Sequence, residues 1–224
     1  MMQQGSPCAR VAGDRGTQGR ASSDHLHAVR ASPLSGRCQG PSGNARLHAH
    51  RQIARDWLSL PPELEFARQI QISAVYEALV RSQRRNDLIF NDVLRSLQNG
   101  RRPVVLTERR DHLDTLRSRF DKFTRHLVVL YGGMSASERR ESEAALKRSE
   151  ADERLVLATG RYLGEGFDDA SLDTLFLKMP ISWKAALAQY VGRLHREHYA
   201  KREVIVYDYV DSGVPILMRT ASKR

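Results

Sequence analysis

Short apolar runs alternate with amphipathic stretches along most of this chain, and the spacing changes in a regular way. Leu64, Ala67, Ile70, Ile72, Ala74, Val75, Ala78 and Leu79 recur at helical intervals, and Leu88, Ile89, Val93, Leu94 and Leu97 do so again before Asn99-Gly100. Two helices over 62–99 are predicted, with the Asn-Gly pair as the stop. Beyond Gly100 the pattern predicts a strand at Pro103–Leu106, a helix at Arg110–Lys122, a strand at Leu127–Leu130 and a helix at Ser135–Arg148. Ser135 is followed three residues later by Glu138, the spacing at which the two side chains can satisfy each other's free amides at a helix start. Strands at Arg154–Ala158, Thr174–Leu177 and Glu203–Tyr207 and a helix at Trp183–Leu194 complete the series. Continuous apolar strands alternating with helices of this length predict an α/β fold, a parallel sheet with helices on both faces. Ligands of such sheets sit beyond the carboxyl ends of the strands.

Composition changes the picture at the beginning of the chain. Residues 1–50 are rich in Gly, Ser, Arg and His, hold no lysine and follow neither a two-residue nor a 3.6-residue period, so a disordered tail is expected there. The tail is arginine-rich like a transit peptide but lacks the amphipathic face of one. Its Cys8 and Cys38 are the only cysteines of the 224 residues. They can build neither a disulfide framework nor a four-cysteine zinc site, and His25, His27, His48 and His50 beside them match no zinc spacing, so no metal is expected. A reducing, cytoplasmic setting fits. The apolar run Leu127–Tyr131 is far too short to span a bilayer, so no membrane partner is expected. A hydrophobic content of 41% suffices for one core, while a net charge of +10 and a pI near 10.0 favour a polyanionic partner such as nucleic acid.

Candidate chemistry falls where the fold class puts it. The strand Leu155–Ala158 ends at Thr159-Gly160, where a hydroxyl and an unhindered amide can hold a phosphate. Gly164-Glu165-Gly166-Phe167-Asp168 follows, and a tight turn closed by glycines would also explain it. Residues 189–196 read Gln-Tyr-Val-Gly-Arg-Leu-His-Arg, which puts Gln189, Gly192, Arg193 and Arg196 on one helix face. Two arginines a turn apart suit a phosphate; a solvated basic face with Gly192 as a packing notch is the alternative. Trp183, Tyr190, Tyr207 and Tyr209 follow the core pattern and are expected to pack, as is His195 or else to face solvent.

Together these segments resemble motifs V and VI of superfamily 2 helicases, in their second RecA-like domain. The similarity covers about residues 100–211, within a domain of 100–218 preceded by the helical lead-in 62–99. It is closest in character to bacterial DEAD/DEAH-type proteins related to the translocating subunits of type III restriction enzymes. The resemblance implies that Thr159 and Gly160 touch a nucleic-acid backbone, and that Gly166 and Asp168 face ATP or orient the arginines. It implies that Arg193 and Arg196 reach the γ-phosphate, with Arg196 as the finger and Gln189 nearby. Val104–Arg109 would correspond to motif IV, with Thr107 and Arg109 on the backbone, and Gly132-Gly133 to a loop whose amides approach the strand. Strand termination and a plain strand-to-helix turn explain the last two segments equally well.

No G-x-x-x-x-G-K-[ST] phosphate loop occurs, and Asp152-Glu153, the only Asp-Glu pair, precedes its strand and is a poor Walker B candidate. ATP and Mg2+ are therefore expected only if a Walker A-bearing RecA-like domain of another chain completes the site. Nucleic acid, DNA in preference to RNA, is the other expected partner. The competing expectations are a nucleic-acid-binding or regulatory module that takes no part in hydrolysis, and an inactive gene fragment.

Overall fold

The computed structural model describes residues 46–54, 58, 60, 71–148, 152–164, 167, 169–180, 184–196, 198–199 and 201–222. Six strands form one sheet: β1 (Arg46–Ala54), β2 (Pro103–Thr107), β3 (His126–Leu130), β4 (Arg154–Thr159), β5 (Thr174–Leu177) and β6 (Glu203–Asp211). Their order is β1-β6-β5-β2-β4-β3, and every pairing is parallel. The helices are α1 (Ile72–Arg81), α2 (Gln83–Gln98), α3 (Arg110–Phe120), α4 (Ala136–Arg148), α5 (Gly160–Gly164), α6 (Lys184–Leu194) and α7 (Pro215–Ser222).

Successive residues of each strand point to opposite faces, so the apolar runs divide between two cores. Val104, Leu106, Val128, Leu130, Val156, Ala158, Leu175, Leu177, Val204 and Val206 pack under α4, α5 and α6. Val105, Leu155, Leu157, Phe176 and Tyr209 pack on the other face against Ile89, Val93 and Leu97 of α2 and Leu113, Leu116 and Phe120 of α3. Each Val, Leu, Ile or Phe among them contributes about 1.5–3 kcal/mol on leaving water, which is why these runs become buried strands. A third cluster joins Val75 and Leu79 of α1 to Val214 and Leu217 and to Met179, just past the end of β5. Tyr76 of α1 donates to the Pro180 carbonyl over 3.3 Å, tying the lead-in to the segment that enters α6.

The five strands expected from the sequence are all present. The sheet has in addition β1, paired with β6 from Arg46↔Glu203 to Ala54↔Asp211. Its first residues fall in the segment expected to be irregular, where Leu47, Ala49 and Ile53 alternate too weakly to stand out. The pairing also explains why β6 runs to Asp211, beyond the expected end at Tyr207. The first lead-in helix begins at Ile72 behind an extended Gln71, so the helical pattern expected from Leu64 to Leu79 does not form one unbroken helix; 61–70 lie outside the described residues, as do 1–45. Among the described residues no helix is long and apolar enough to cross a membrane.

Candidate nucleic-acid and nucleotide interface

Strands β2 and β4 run side by side, so Thr107 and Thr159 are register partners at the carboxyl edge of the sheet. Their environments differ. The Thr159 hydroxyl is half-buried and accepts the Gly132 amide at 3.2 Å, drawing the turn after β3 onto the end of β4. Gly133 follows at φ +86° with open space where a side chain would stand, a backbone conformation that favours glycine. Thr107 is fully buried, its hydroxyl 3.0 Å from His112 Nδ1 and 3.4 Å from the Arg109 amide. This corrects the expected backbone contact. The Thr107 hydroxyl holds the first turn of α3 and has no path to a phosphate. Arg109 is on the surface with its guanidinium forked onto Asp111, at 2.6 Å for the closest pair. That hydrogen bond holds the Asp111 carboxyl below the ordinary range.

Gly160 marks the meeting point of three segments. A Cβ there would collide with Glu108 Oε1 and stand 2.8 Å from the Tyr190 hydroxyl. Burial raises the Glu108 carboxyl, and burial followed by the Glu108 charge raises the Tyr190 phenol. Tyr190 packs as expected, but its polar end serves the Thr159-Gly160 corner.

Helix α6 is anchored through Arg193 and carries exposed residues on its other side. Arg193 donates from Nη1 to the Phe167 carbonyl at 2.6 Å, pinning the glycine-rich loop to the helix. Gln189, Gly192 and Arg196 are exposed. Nothing lies within 4 Å of a Cβ built on Gly192, so Gly192 is not a packing notch for another part of the described chain. The end of α6 is closed by Lys201, whose ammonium donates to the Leu194 carbonyl at 2.6 Å and the Arg196 carbonyl at 3.0 Å. A cation suits the last carbonyls of a helix. Burial brings the Lys201 amine down to about 8. Burial, then Lys201, lowers His195, which is half-buried beside it. Gly166 and Asp168 lie outside the described residues.

Two supports were not visible as site residues in the sequence. Arg154, at 1% exposure, bonds the Leu146 carbonyl at 2.8 Å and also Asp169 and Ser171, fixing the exit of the loop that follows α5. Its only signal is an arginine opening an apolar strand. Lys201 has none, because its partners are carbonyls made available by the helix ending there.

Comparison with known proteins agrees with this layout. Residues 72–198 match the family model described as the helicase conserved C-terminal domain. A transcript termination protein of vaccinia virus (strain Ankara) is 30% identical over 115 residues, covering 50% of this chain and 23% of the viral protein. Its counterpart in myxoma virus (strain Lausanne) is 25% identical over 124 residues, covering 54% and 25%. The chain thus spans about a quarter of the length of these relatives. Among solved structures, T4 UvsW has a TM-score of 0.57 at 15% identity, covering 79% of this chain and 37% of its own. The Sulfolobus solfataricus SWI2/SNF2 ATPase core has 0.56 at 16%, covering 80% and 43%. The same core in complex with dsDNA has 0.50 at 14%, covering 73% and 41%. At such identities the structural likeness shows the fold, and the match over more than half of the residues shows the family. This chain belongs to the helicase conserved C-terminal domain family.

Proposed function

We propose that this chain is the second RecA-like half of an ATP-dependent nucleic-acid helicase or translocase, supplying an arginine finger and backbone contacts to an ATP-binding first RecA-like domain. The observation that carries the reading is the two-sided arrangement of α6. Arg193 fastens the helix to the glycine-rich loop through the Phe167 carbonyl, while Gln189 and Arg196 stand exposed beside the open space at Gly192. A guanidinium on that exposed face matches phosphate oxygens with a permanent charge and a planar fork. The residues present fit one side of a nucleotide site. The sequence holds no phosphate loop, and among the described residues no group of three acidic, histidine or cysteine side chains gathers around a possible metal. ATP with Mg2+, when held by the first domain, would supply the phosphoryl group whose charge Arg196 offsets. Arg193 then acts as the second arginine and as the pin on the Phe167 carbonyl; Gly166 and Asp168 keep the expected role of facing the nucleotide.

On the rim, Thr159, Gly132, Gly133 and Arg109 would meet a nucleic-acid backbone, whereas the expected contact of Gly160 is corrected because that residue is buried beneath Glu108 and Tyr190; DNA is preferred because the Sulfolobus core is seen with dsDNA. Relationship to type III restriction translocating subunits and a cytoplasmic location belong to the same proposal. A binding module that takes no part in hydrolysis is the second reading, because the rim residues are all built within this chain. Fusion of a Walker A-bearing first RecA-like domain ahead of residue 62 separates the two. Nucleic-acid-stimulated ATP hydrolysis is expected in the fusion and lost in Arg196→Lys, which keeps the charge without the fork. A folded fusion that binds ATP and DNA yet hydrolyses nothing selects the binding module.

A further inference from the structure

We propose that Lys178 is a carbamylation site: its buried amine adds carbon dioxide, and the carbamate so formed is received by the Arg85 guanidinium and the His112 ring. These residues meet at the carboxyl edge of the sheet, on the face covered by α2 and α3. Val105, Phe176 and Tyr209 line that face, and two residues further along each strand the alternation returns to it at Thr107, Lys178 and Asp211. The Lys178 amide donates to the Leu106 carbonyl at 3.1 Å, so strand pairing fixes where its side chain starts. Arg85 enters from the first turn of α2 and His112 from the first turn of α3.

Arg85 and His112 are 0% exposed and Lys178 is 2% exposed. Arg85 donates from Nε to Asp211 Oδ2 at 3.0 Å, while both its Nη atoms are buried without a partner. His112 Nδ1 is 3.0 Å from the Thr107 hydroxyl, and its Nε2 is buried without a partner too. Burial, then the like charges of Arg85 and Arg119, push the Lys178 amine well down, so it stands as a neutral nucleophile beside a buried cation. Arg119 is itself paired with Asp87.

The reaction turns Lys178–NH2 and CO2 into Lys178–NH–COO− and one proton. The amine lone pair forms the N–C bond, and one C=O bond opens to place the charge on oxygen. The displaced proton passes to His112 Nε2, which can take it when Nδ1–H donates to Thr107. Carbamate and imidazolium then form together, so no net charge is added to the interior, and the carboxylate meets the Nη donors of Arg85 in the geometry that suits a guanidinium. A free anion fits less well, because it must shed its hydration to reach groups this buried and must also draw a proton onto Lys178. Carbon dioxide is neutral and apolar and carries neither cost.

The test equilibrates the full chain with 13C-labelled bicarbonate at mildly alkaline pH and constant ionic strength. Carbon NMR reads the carbamate, and trapping with a trialkyloxonium salt followed by peptide mass spectrometry locates it. A labelled carbamate is expected on the peptide that holds Lys178 and is absent in Lys178→Met. Methionine replaces the buried amine without its desolvation cost, so this variant should fold. The α-amine can also add carbon dioxide, so the signal that counts is the one lost in Lys178→Met. At about ten times the half-saturating bicarbonate concentration the parent's Tm should rise by about 3–6 °C, and that of Lys178→Met should not. Folded Arg85→Gln should need about tenfold more bicarbonate, since a charge-assisted hydrogen bond is lost. Sodium formate at equal ionic strength presents a carboxylate without the covalent bond and should leave the parent's Tm unchanged. A parent with no carbamate on Lys178 overturns the proposal, and so does a Tm rise that formate reproduces or that persists in Lys178→Met.

Discussion

Gly160→Ala is the smallest change that tests whether the three site segments are packed against one another. The new Cβ would collide with Glu108 Oε1 and stand 2.8 Å from the Tyr190 hydroxyl. Glu108 is the tip of a flexible side chain and can swing aside. Tyr190 is only 6% exposed and shares its core with Leu163 and Leu194, so it cannot yield cheaply. Overpacking of this kind costs about 1–3 kcal/mol. Alanine in place of glycine returns up to about 1 kcal/mol of helix propensity, since Gly160 opens α5. The net loss is about 1–2 kcal/mol, or a fall in Tm of about 2–8 °C for a chain of this size. Thermal unfolding followed by circular dichroism reads this directly. Adding Tyr190→Phe and Glu108→Ala removes both obstructing oxygens and should recover most of the loss. Gly160→Ala melting with the parent, or a triple variant that recovers nothing, would refute the packing.

Arg154→Met leaves Asp169 without its buried partner and should destabilise by about 3–5 kcal/mol in urea unfolding; a loss under 1 kcal/mol would show that the network does not hold the loop. Lys178 sits at 2% exposure with its amine pushed well down by burial and by the like charges of Arg85 and Arg119, so Lys178→Met should stabilise by about 1–3 kcal/mol at pH 7, and a lower Tm would refute this. His112 is held at about 2 by burial, Lys178 and Arg85, below its unfolded value of 6.5. The unfolded chain therefore takes up a proton that the fold refuses, and stability is lost as pH falls from 6.5 toward 2. Urea midpoints at pH 7.5, 6.5 and 5.5 should fall more steeply for the parent than for His112→Gln, and parallel curves would remove His112 from the acid response.

What the sequence made legible was local. The Ser135 and Glu138 box forms as its spacing requires, with the Ser135 amide 2.8 Å from Glu138 and the Glu138 amide 3.2 Å from Ser135. The five central strands are apolar runs that bury themselves wherever the chain turns back. Expectations went wrong where the deciding partner comes from another element. Thr107 reads as a polar residue emptying from a strand, and only the return of α3 beneath it shows that His112 takes its hydroxyl. β1 has a weak pattern of its own and exists through its pairing with β6, about 157 residues away, a distance at which loop-closure cost hides it from any window of sequence. Gly160 shows the limit most clearly. In sequence it is a hinge-like residue after a strand; in the fold it is a glycine because Glu108 and Tyr190 occupy the place of a side chain. The same contacts explain why the two glycine-rich and arginine-rich segments occur together. Arg193 reaches back 26 residues to the Phe167 carbonyl, and Tyr190 reaches back to Gly160, so each segment completes the other's hydrogen bonds and packing. Either segment alone would be a turn or a basic helix, and the tertiary contact between them is what makes the pair one site.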